Sequence, residues 1–181
     1  MREYLFRGIP KDDTTRHFFA DIWKDDCEGS FVYGSLIISK DRYYICVSAL
    51  CQINSCINNG MTSMIEVIPE TVGQYTGLTD KNGTKIFEGD IVRQDYSKTV
   101  NVMYDPDTLG FIDSEGIDGH HIGVVKITAS CGACMRNPMS YDVVEDNDRK
   151  VNGYVNVRGY RCEIIGNIHD NPELLKGGVQ E

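Results

Sequence analysis

Long apolar runs and an excess of basic residues are both lacking in this sequence. No window approaches the ~20 consecutive apolar residues of a membrane-spanning helix. The first residues, MREYLFRGIPKDD, carry charges and no apolar core of signal-peptide length. Lys and Arg number 18 against 27 Asp and Glu, a net charge of −9, and binding to a phosphate backbone requires clustered Lys and Arg. We therefore expect a cytoplasmic protein that binds no membrane and no nucleic acid.

The motifs that mark common enzymes are lacking too. The chain contains no G-x-S-x-G, no phosphate-binding glycine loop and no H-E-x-x-H. It has no internal repeat and no low-complexity tract. We therefore predict no catalytic residue, no cofactor and no cofactor-binding residue, and we expect that the protein is not an enzyme.

Cysteines are present in an odd number, seven, so they cannot all pair, and cytoplasmic thiols are mostly reduced. One close pair, Cys131 and Cys134, has the C-x-x-C spacing in which two thiolates can share a tetrahedral metal. His120 and His121 lie just upstream of the strand that leads to this pair. No second close pair follows, which favours reduced loop cysteines. These four residues are the candidate metal ligands.

The densest run of turn residues and alternating apolar residues spans residues 67–93. Asp80, Lys81, Asn82 and Gly83 predict a tight reversal, because Asn and Gly tolerate the positive φ that such turns require. Residues 75–78 would then face residues 86–87 across a hairpin. A second reversal is predicted at residues 88–90, in which Asp90 caps the turn by accepting hydrogen bonds from the amides that follow it.

Short stretches of alternating or β-branched residues recur along the rest of the chain and predict strands. Cys46 and Cys162 lie in such stretches and are interpreted as core residues. Residues 116–121 are polar and predict a loop, and Asn171 and Pro172 predict a closing helical turn. One helix is predicted, from Asp13 to Trp23. Asp12 and Asp13 would cap this helix. Its apolar face would consist of Phe18, Phe19, Ile22 and Trp23.

These elements predict an all-β protein with a small SH3-like or related β-barrel core and an N-terminal, helix-containing addition. Residues 1–66 would form a strand–helix–strand region that packs on the core. Residues 67–181 would form the barrel, with an excursion at about residues 131–153, where Cys, Met, Asn and Asp are more frequent.

Three blocks of the sequence carry a family resemblance. They are REYLFRG at residues 2–8, the run from PETVGQYTGL through DKNG to FEGDIV at residues 69–92, and EIIGNI followed by DNPELL at residues 163–175. In this order they resemble the YopX family of phage and prophage proteins. The resemblance implies a β-rich fold, a bacterial or phage source and self-association. It implies no activity, because the family is one of unknown function with no catalytic residues to carry over.

We therefore expect a phage or prophage accessory protein that acts through protein–protein contacts in the cytoplasm of the bacterial host. Its partner would be a host or phage protein, and it would form a homo-oligomer. Two apolar runs, Met64–Ile68 and Val124–Ile127, have few of the charges and prolines that blunt an exposed strand edge. We therefore expect them to be open edges, which a symmetric oligomer would bury.

Two alternatives come from other classes of function. The first is a nucleic-acid-binding small barrel, because aromatic side chains beside cations can stack on bases. The best basic and aromatic cluster consists of Tyr154, Arg158, Tyr160 and Arg161. The second is a metal- or thiol-dependent enzyme built on Cys131 and Cys134.

Overall fold

The structure is a computed structural model and describes residues 4–12, 31–49, 61–143 and 147–175. Within these ranges the chain forms thirteen strands and three short 3-10 helices and has no α-helix. The mainly-β prediction is confirmed. The helix predicted over residues 13–23 lies outside the described residues. No helix in the described ranges has the length and apolarity to span a membrane.

The chain divides into two compact units, Met1–Gly77 and Leu78–Glu181. The first unit contains β1 (Phe6–Gly8), β2 (Val32–Ser39), β3 (Arg42–Ala49), β4 (Met61–Val67) and a 3-10 helix at Pro69–Thr71. The division falls inside β5 (Gly73–Thr79), whereas the boundary predicted at residue 66 falls inside β4.

The first unit is an antiparallel sheet with the strand order β4-β3-β2-β1-β5. Its apolar residues alternate along the strands, so one set of side chains faces inward. The buried set is Val32, Ile45, Val47, Ile65 and Val67. β4 lies at one end of this order, so Met64–Ile68 begins on an edge strand, as its sequence predicts.

The second unit continues with eight further strands and two 3-10 helices. The strands are β6 (Lys85–Phe87), β7 (Asp90–Tyr104), β8 (Phe111–Thr128), β9 (Gly132–Arg136), β10 (Met139–Asp142), β11 (Asn147–Lys150), β12 (Tyr154–Asn156) and β13 (Cys162–Asn167). The 3-10 helices are Gly159–Arg161 and Pro172–Leu175. The second of these confirms the predicted closing turn.

The main sheet of the second unit has the order β11-β10-β8-β7-β13, and β9 pairs with both β8 and β12. Its core residues are Ile86, Val92, Val125, Met135, Val157 and Cys162. Cys162 is thus a core residue, as predicted, whereas Cys46 in the first unit is only half-buried.

Two predictions for the second unit are wrong. Val124–Ile127 is not an open edge, because Val124 pairs with Ile91 of β7 and the residues after it pair with β9. On the other side the Gly89 amide and the Glu88 carboxylate bond to the backbone of this run. Residues 116–121 are not a loop but part of β8.

The predicted excursion at residues 131–153 contains β9, β10 and β11, which pair with β8 or with each other.

The predicted reversal at Asp80 is confirmed in detail. The Asp80 amide donates to the carbonyl of Thr84 at 2.8 Å, and Gly83 has a φ of 88°. The Asp80 carboxylate accepts from the amides of Asn82 and Thr84, both at 2.9 Å, and from the amide of Ile164 at 3.3 Å. This one buried side chain therefore closes the turn and ties it to β13.

The second reversal also forms, with Gly89 at a φ of 85°. The Asp90 carboxylate caps it, but accepts from the amide of Phe87 at 2.7 Å, which precedes it in the chain. This contact makes Asp90 the cap of the turn, as predicted, and its contacts to the amides that follow it stay a prediction. The Glu88 carboxylate accepts from the amide of Ile127 at 2.9 Å and so joins the turn to β8.

Candidate functional site

A shallow cleft of about 430 Å³ opens on the second unit. It is lined by Lys81, Arg93, Asp95, Tyr96, Ser97, Asp118, Gly119, His120, Val143, Tyr160 and Arg161. Alternate residues of a strand face the same side, which brings Arg93, Asp95 and Ser97 of β7 together. The register then places His120 beside Asp95 and Asp118 beside Ser97. The cleft is therefore assembled from five separate parts of the chain.

Most of the charges in and around this cleft are matched. Lys81 Nζ lies 2.6 Å from Glu163 Oε2, and this contact raises the pKa of Lys81. Arg93 Nε lies 3.5 Å from Asp95 Oδ1. These side chains are all more than 40% exposed, so the pairs contribute little to stability. The cleft is suited to polar contact with a partner and has no strong excess of positive or negative charge.

A packed polar layer lies beside the cleft and shares Tyr96 with its lining. The Tyr96 ring stacks on His121 with centroids 4.5 Å apart, and its hydroxyl donates to the carbonyl of Tyr141 at 3.3 Å. Beside it, Lys98 Nζ lies 3.2 Å from Asp142 Oδ2, whose side chain is 1% exposed. A buried carboxylate requires such a partner. This layer holds the strands that form the floor of the cleft.

Burial sets the proton affinity of His121. Its Nδ1 is buried without a hydrogen-bond partner, and burial, with a smaller effect from His120, lowers the pKa of His121 below 6.5. The unfolded chain therefore takes up the proton at a higher pH than the folded protein does, and stability falls as the pH drops below 6.5.

We expect thermal melts between about pH 8 and about pH 5.5 to show a larger fall in melting temperature for the natural protein than for His121→Gln. Glutamine does not titrate, so the difference isolates the imidazole. Equal falls in the two proteins would show that His121 is solvated in the folded state.

The four candidate metal ligands lie in different parts of the second unit. Cys131 lies in the turn before β9, whereas Cys134 is fully buried in β9 opposite Lys126 of β8. His120 and His121 lie further back on β8, opposite β7 and β10. Across the described part of the chain no three His, Cys, Asp or Glu side chains are grouped to hold a metal ion.

Two of the four residues of the basic and aromatic cluster lie in the cleft. Tyr160 and Arg161 belong to the 3-10 helix and line the cleft, with the guanidinium carbon of Arg161 5.6 Å from the Tyr160 ring centre. Tyr154 lies on β12 and pairs with Arg136 of β9. Both tyrosines are exposed. The cluster is therefore accessible.

The sequence did not indicate the most exposed feature of the second unit, a long ribbon formed by β7 and β8. β13 pairs with β7 only up to Gln94, and β10 pairs with β8 only from Gly119. Beyond these points the two strands continue as a pair through Tyr104 and Phe111. The ribbon is identified in the structure by the exposed apolar residues at its end.

A family model described as YopX protein matches residues 22–176 of the chain. The match includes the second and third sequence blocks that carry the resemblance and ends one residue past the last 3-10 helix. No curated protein matches the chain.

Proposed function

The chain belongs to the YopX family, and from this membership we propose that it is a phage- or prophage-encoded accessory protein. It works by binding protein chains, its own copies among them, in the cytoplasm of a bacterial host. It carries out no catalysis and needs no cofactor. A net charge of −9 agrees with a role in protein contacts and opposes contacts with nucleic acid.

The observation that carries self-association is the edge at β4. Among the described strands β4 pairs with β3 alone, and only its last residues are covered, by a bridge between Val67 and Pro10. Met64 is 54% exposed on this edge strand. An edge presents unpaired backbone N–H and C=O groups, which proteins cover or pair.

A second copy of β4 is a suitable partner for this edge. Two identical edges related by a twofold axis can pair as antiparallel strands and close the assembly as a dimer. The part of β4 that the bridge to Pro10 leaves open, residues 61–65, contains no charged residue. Glu66, at the covered end, has its carboxylate 3.0 Å from Lys11 Nζ and 3.9 Å from Arg42. The pairing of two such edges therefore meets little repulsion between like charges.

We expect light scattering coupled to size exclusion to give a mass of about twice the 20.3 kDa monomer for the natural chain. Met64→Lys places a charge on each copy at the shared edge and should raise the dimer dissociation constant at least about tenfold. Ser35→Lys is the matched control, because Ser35 is exposed on the same face and two strands away, in register with Cys46 and Met64.

The control separates two ways of associating. If the sheets packed face to face, both lysine variants would weaken the dimer, and pairing at the β4 edge would be wrong. A single species of monomer mass across a wide concentration range would contradict self-association altogether.

The second candidate function is nucleic-acid binding by a small barrel, with the curled sheet of the second unit as the barrel. The exposed Tyr154 and Tyr160 beside Arg158 and Arg161 are the observation in its favour. Stacking on bases would require these groups to overcome the acidic charge of the chain. Submicromolar, steeply salt-dependent binding to a labelled oligonucleotide would favour this function over protein binding.

A further inference from the structure

The outer part of the β7–β8 ribbon, residues 99–117, receives no support from neighbouring strands in the described parts of the chain. β13 leaves β7 at Gln94 and β10 begins on β8 at Gly119, so beyond these residues β7 and β8 pair only with each other. A two-stranded ribbon is marginally stable in water by itself, and both of its edges are open. We call residues 99–117 the distal ribbon.

The distal ribbon exposes a dense group of large apolar side chains. They are Val102, Met103, Tyr104, Leu109, Phe111 and Ile112, which are between 42% and 78% exposed. The rings of Tyr104 and Phe111 contact each other edge to face, with centroids 6.3 Å apart. Large apolar side chains that are exposed together on one short segment, and not scattered singly, are typical of a site where another macromolecule binds.

The turn at the end of the ribbon is held in one conformation. The Asp105 amide donates to the carbonyl of Gly110 at 2.8 Å, and the Asp105 carboxylate accepts from the amides of Asp107 and Thr108. Leu109 has a φ of 55° and is the most exposed apolar residue of the ribbon, at 78%. The Leu109 side chain is therefore exposed on a turn whose backbone is held by hydrogen bonds.

The charge of the distal ribbon is of one sign. From Thr99 to Val125 the chain has no Lys or Arg, and residues 99–117 carry four carboxylates, Asp105, Asp107, Asp113 and Glu115. These contribute −4 to the chain's net charge of −9. The hydrogen bonds to Asp105 lower the pKa of its carboxyl and keep it ionised.

We propose that the distal ribbon is a docking arm for a basic protein surface with an apolar pocket, which receives the Leu109 and Phe111 side chains. Charge complementarity selects this occupant. A nucleic acid or an anionic membrane would be repelled, and the distal ribbon of a second copy would bring four more carboxylates. This inference goes beyond the proposed self-association, because it concerns a different surface in the other unit and a different partner.

The probe for a test is a synthetic peptide of alternating Lys and Leu, which offers a cationic and an apolar face. Its binding to the full chain is measured by titration calorimetry at physiological salt. Two comparison peptides test these faces in turn: Glu in place of Lys reverses the charge, and Ser in place of Leu removes the apolar face. We expect the first peptide to bind more tightly than either of these.

Two sets of charge-neutral substitutions locate the binding. The arm variant carries Asp107→Asn, Asp113→Asn and Glu115→Gln. The control variant carries Asp41→Asn, Glu70→Gln and Glu173→Gln at exposed positions outside the ribbon and changes the net charge by the same amount. We expect the arm variant to weaken binding about tenfold and the control variant less than about twofold.

The apolar contribution is tested with Leu109→Ser and Phe111→Ser combined, which should weaken binding by a similar factor without moving the thermal melt. Equal effects of the arm and control variants, or equal binding of the Glu peptide, would overturn the proposal. A further outcome would be a lower oligomer mass for the Leu109→Ser/Phe111→Ser protein and an unchanged mass for Met64→Lys. The occupant would then be a second copy, and the proposal would be wrong.

Discussion

Replacing Gln94 with leucine is expected to lower the free energy of unfolding of the second unit by about 2–4 kcal/mol. The side chain of Gln94 lies on β7 and is 4% exposed. Its Oε1 accepts from the amide of Arg158 at 2.7 Å and from the thiol of Cys162 at 3.1 Å. Its Nε2 donates to the carbonyl of Asn156 at 3.2 Å. One amide thus joins β7 to the segment between β12 and β13.

Leucine has nearly the same size but neither donates nor accepts, so it would leave all three groups without their partner. A polar group that is buried without a hydrogen bond costs about 1–3 kcal/mol. The Cys162 thiol cannot escape this by ionising, because burial raises its pKa to about 11. Its hydrogen stays in place near neutral pH and needs an acceptor.

Urea denaturation followed by circular dichroism measures the loss. Cys162→Ala removes only the weakest of the three hydrogen bonds and is the comparison, with an expected loss of about 1–2 kcal/mol from the smaller side chain. A Gln94→Leu protein as stable as the natural chain would mean that water replaces the lost partners, and that the network is more open than these distances indicate.

Gly89→Val is expected to lower the free energy of unfolding by about 1–3 kcal/mol and the melting temperature by about 3–10 °C. Gly89 has a φ of 85°, which a β-branched residue adopts only under strain. The backbone cannot rotate away from this conformation at low cost. The Gly89 amide donates to the carbonyl of Val125 and its carbonyl accepts from the amide of Ile168, both at 3.0 Å.

The same substitution at Gly116 is the matched control for Gly89. Gly116 lies in β8 with an ordinary negative φ, and nothing lies within 4 Å of the position that its side chain would occupy. Valine favours strands and restricts the unfolded chain, so Gly116→Val should leave stability unchanged or raise it slightly. If both valine variants melted alike, backbone strain would not be the reason for glycine at position 89.

The local turns could be predicted from the sequence because their chemistry lies within a few residues. Asp80 and Gly83 form the first reversal and Gly89 and Asp90 the second, since a short carboxylate reaches nearby amides and glycine accepts a positive φ. These features need no knowledge of the rest of the fold.

The site could be predicted only in part, because it is assembled from distant segments. Tyr160 and Arg161 are adjacent in sequence and were singled out together, but Arg93 and Asp118 join them only through strand pairing. Lys81 joins them through its turn, where its amide donates to the carbonyl of Cys162 at 2.9 Å. The spacing of Cys131 and Cys134 made them candidate metal ligands, with reduced loop cysteines favoured. The structure places one thiol in a turn and the other in the core, which the spacing did not indicate.

The sequence by itself determined the mainly-β class, the family and the turns, because alternation and turn chemistry act over two to four residues. Tertiary structure alone decided which strands became edges. Val124–Ile127 is as apolar as Met64–Ile68, yet it is not an open edge, because Val124 pairs with β7 and the residues after it pair with β9. It also decided that the polar residues 116–121 extend a strand, since their partners on β7 lie 17 to 27 residues earlier in the chain. A strand's neighbours depend on the whole chain, and no short window of sequence contains them.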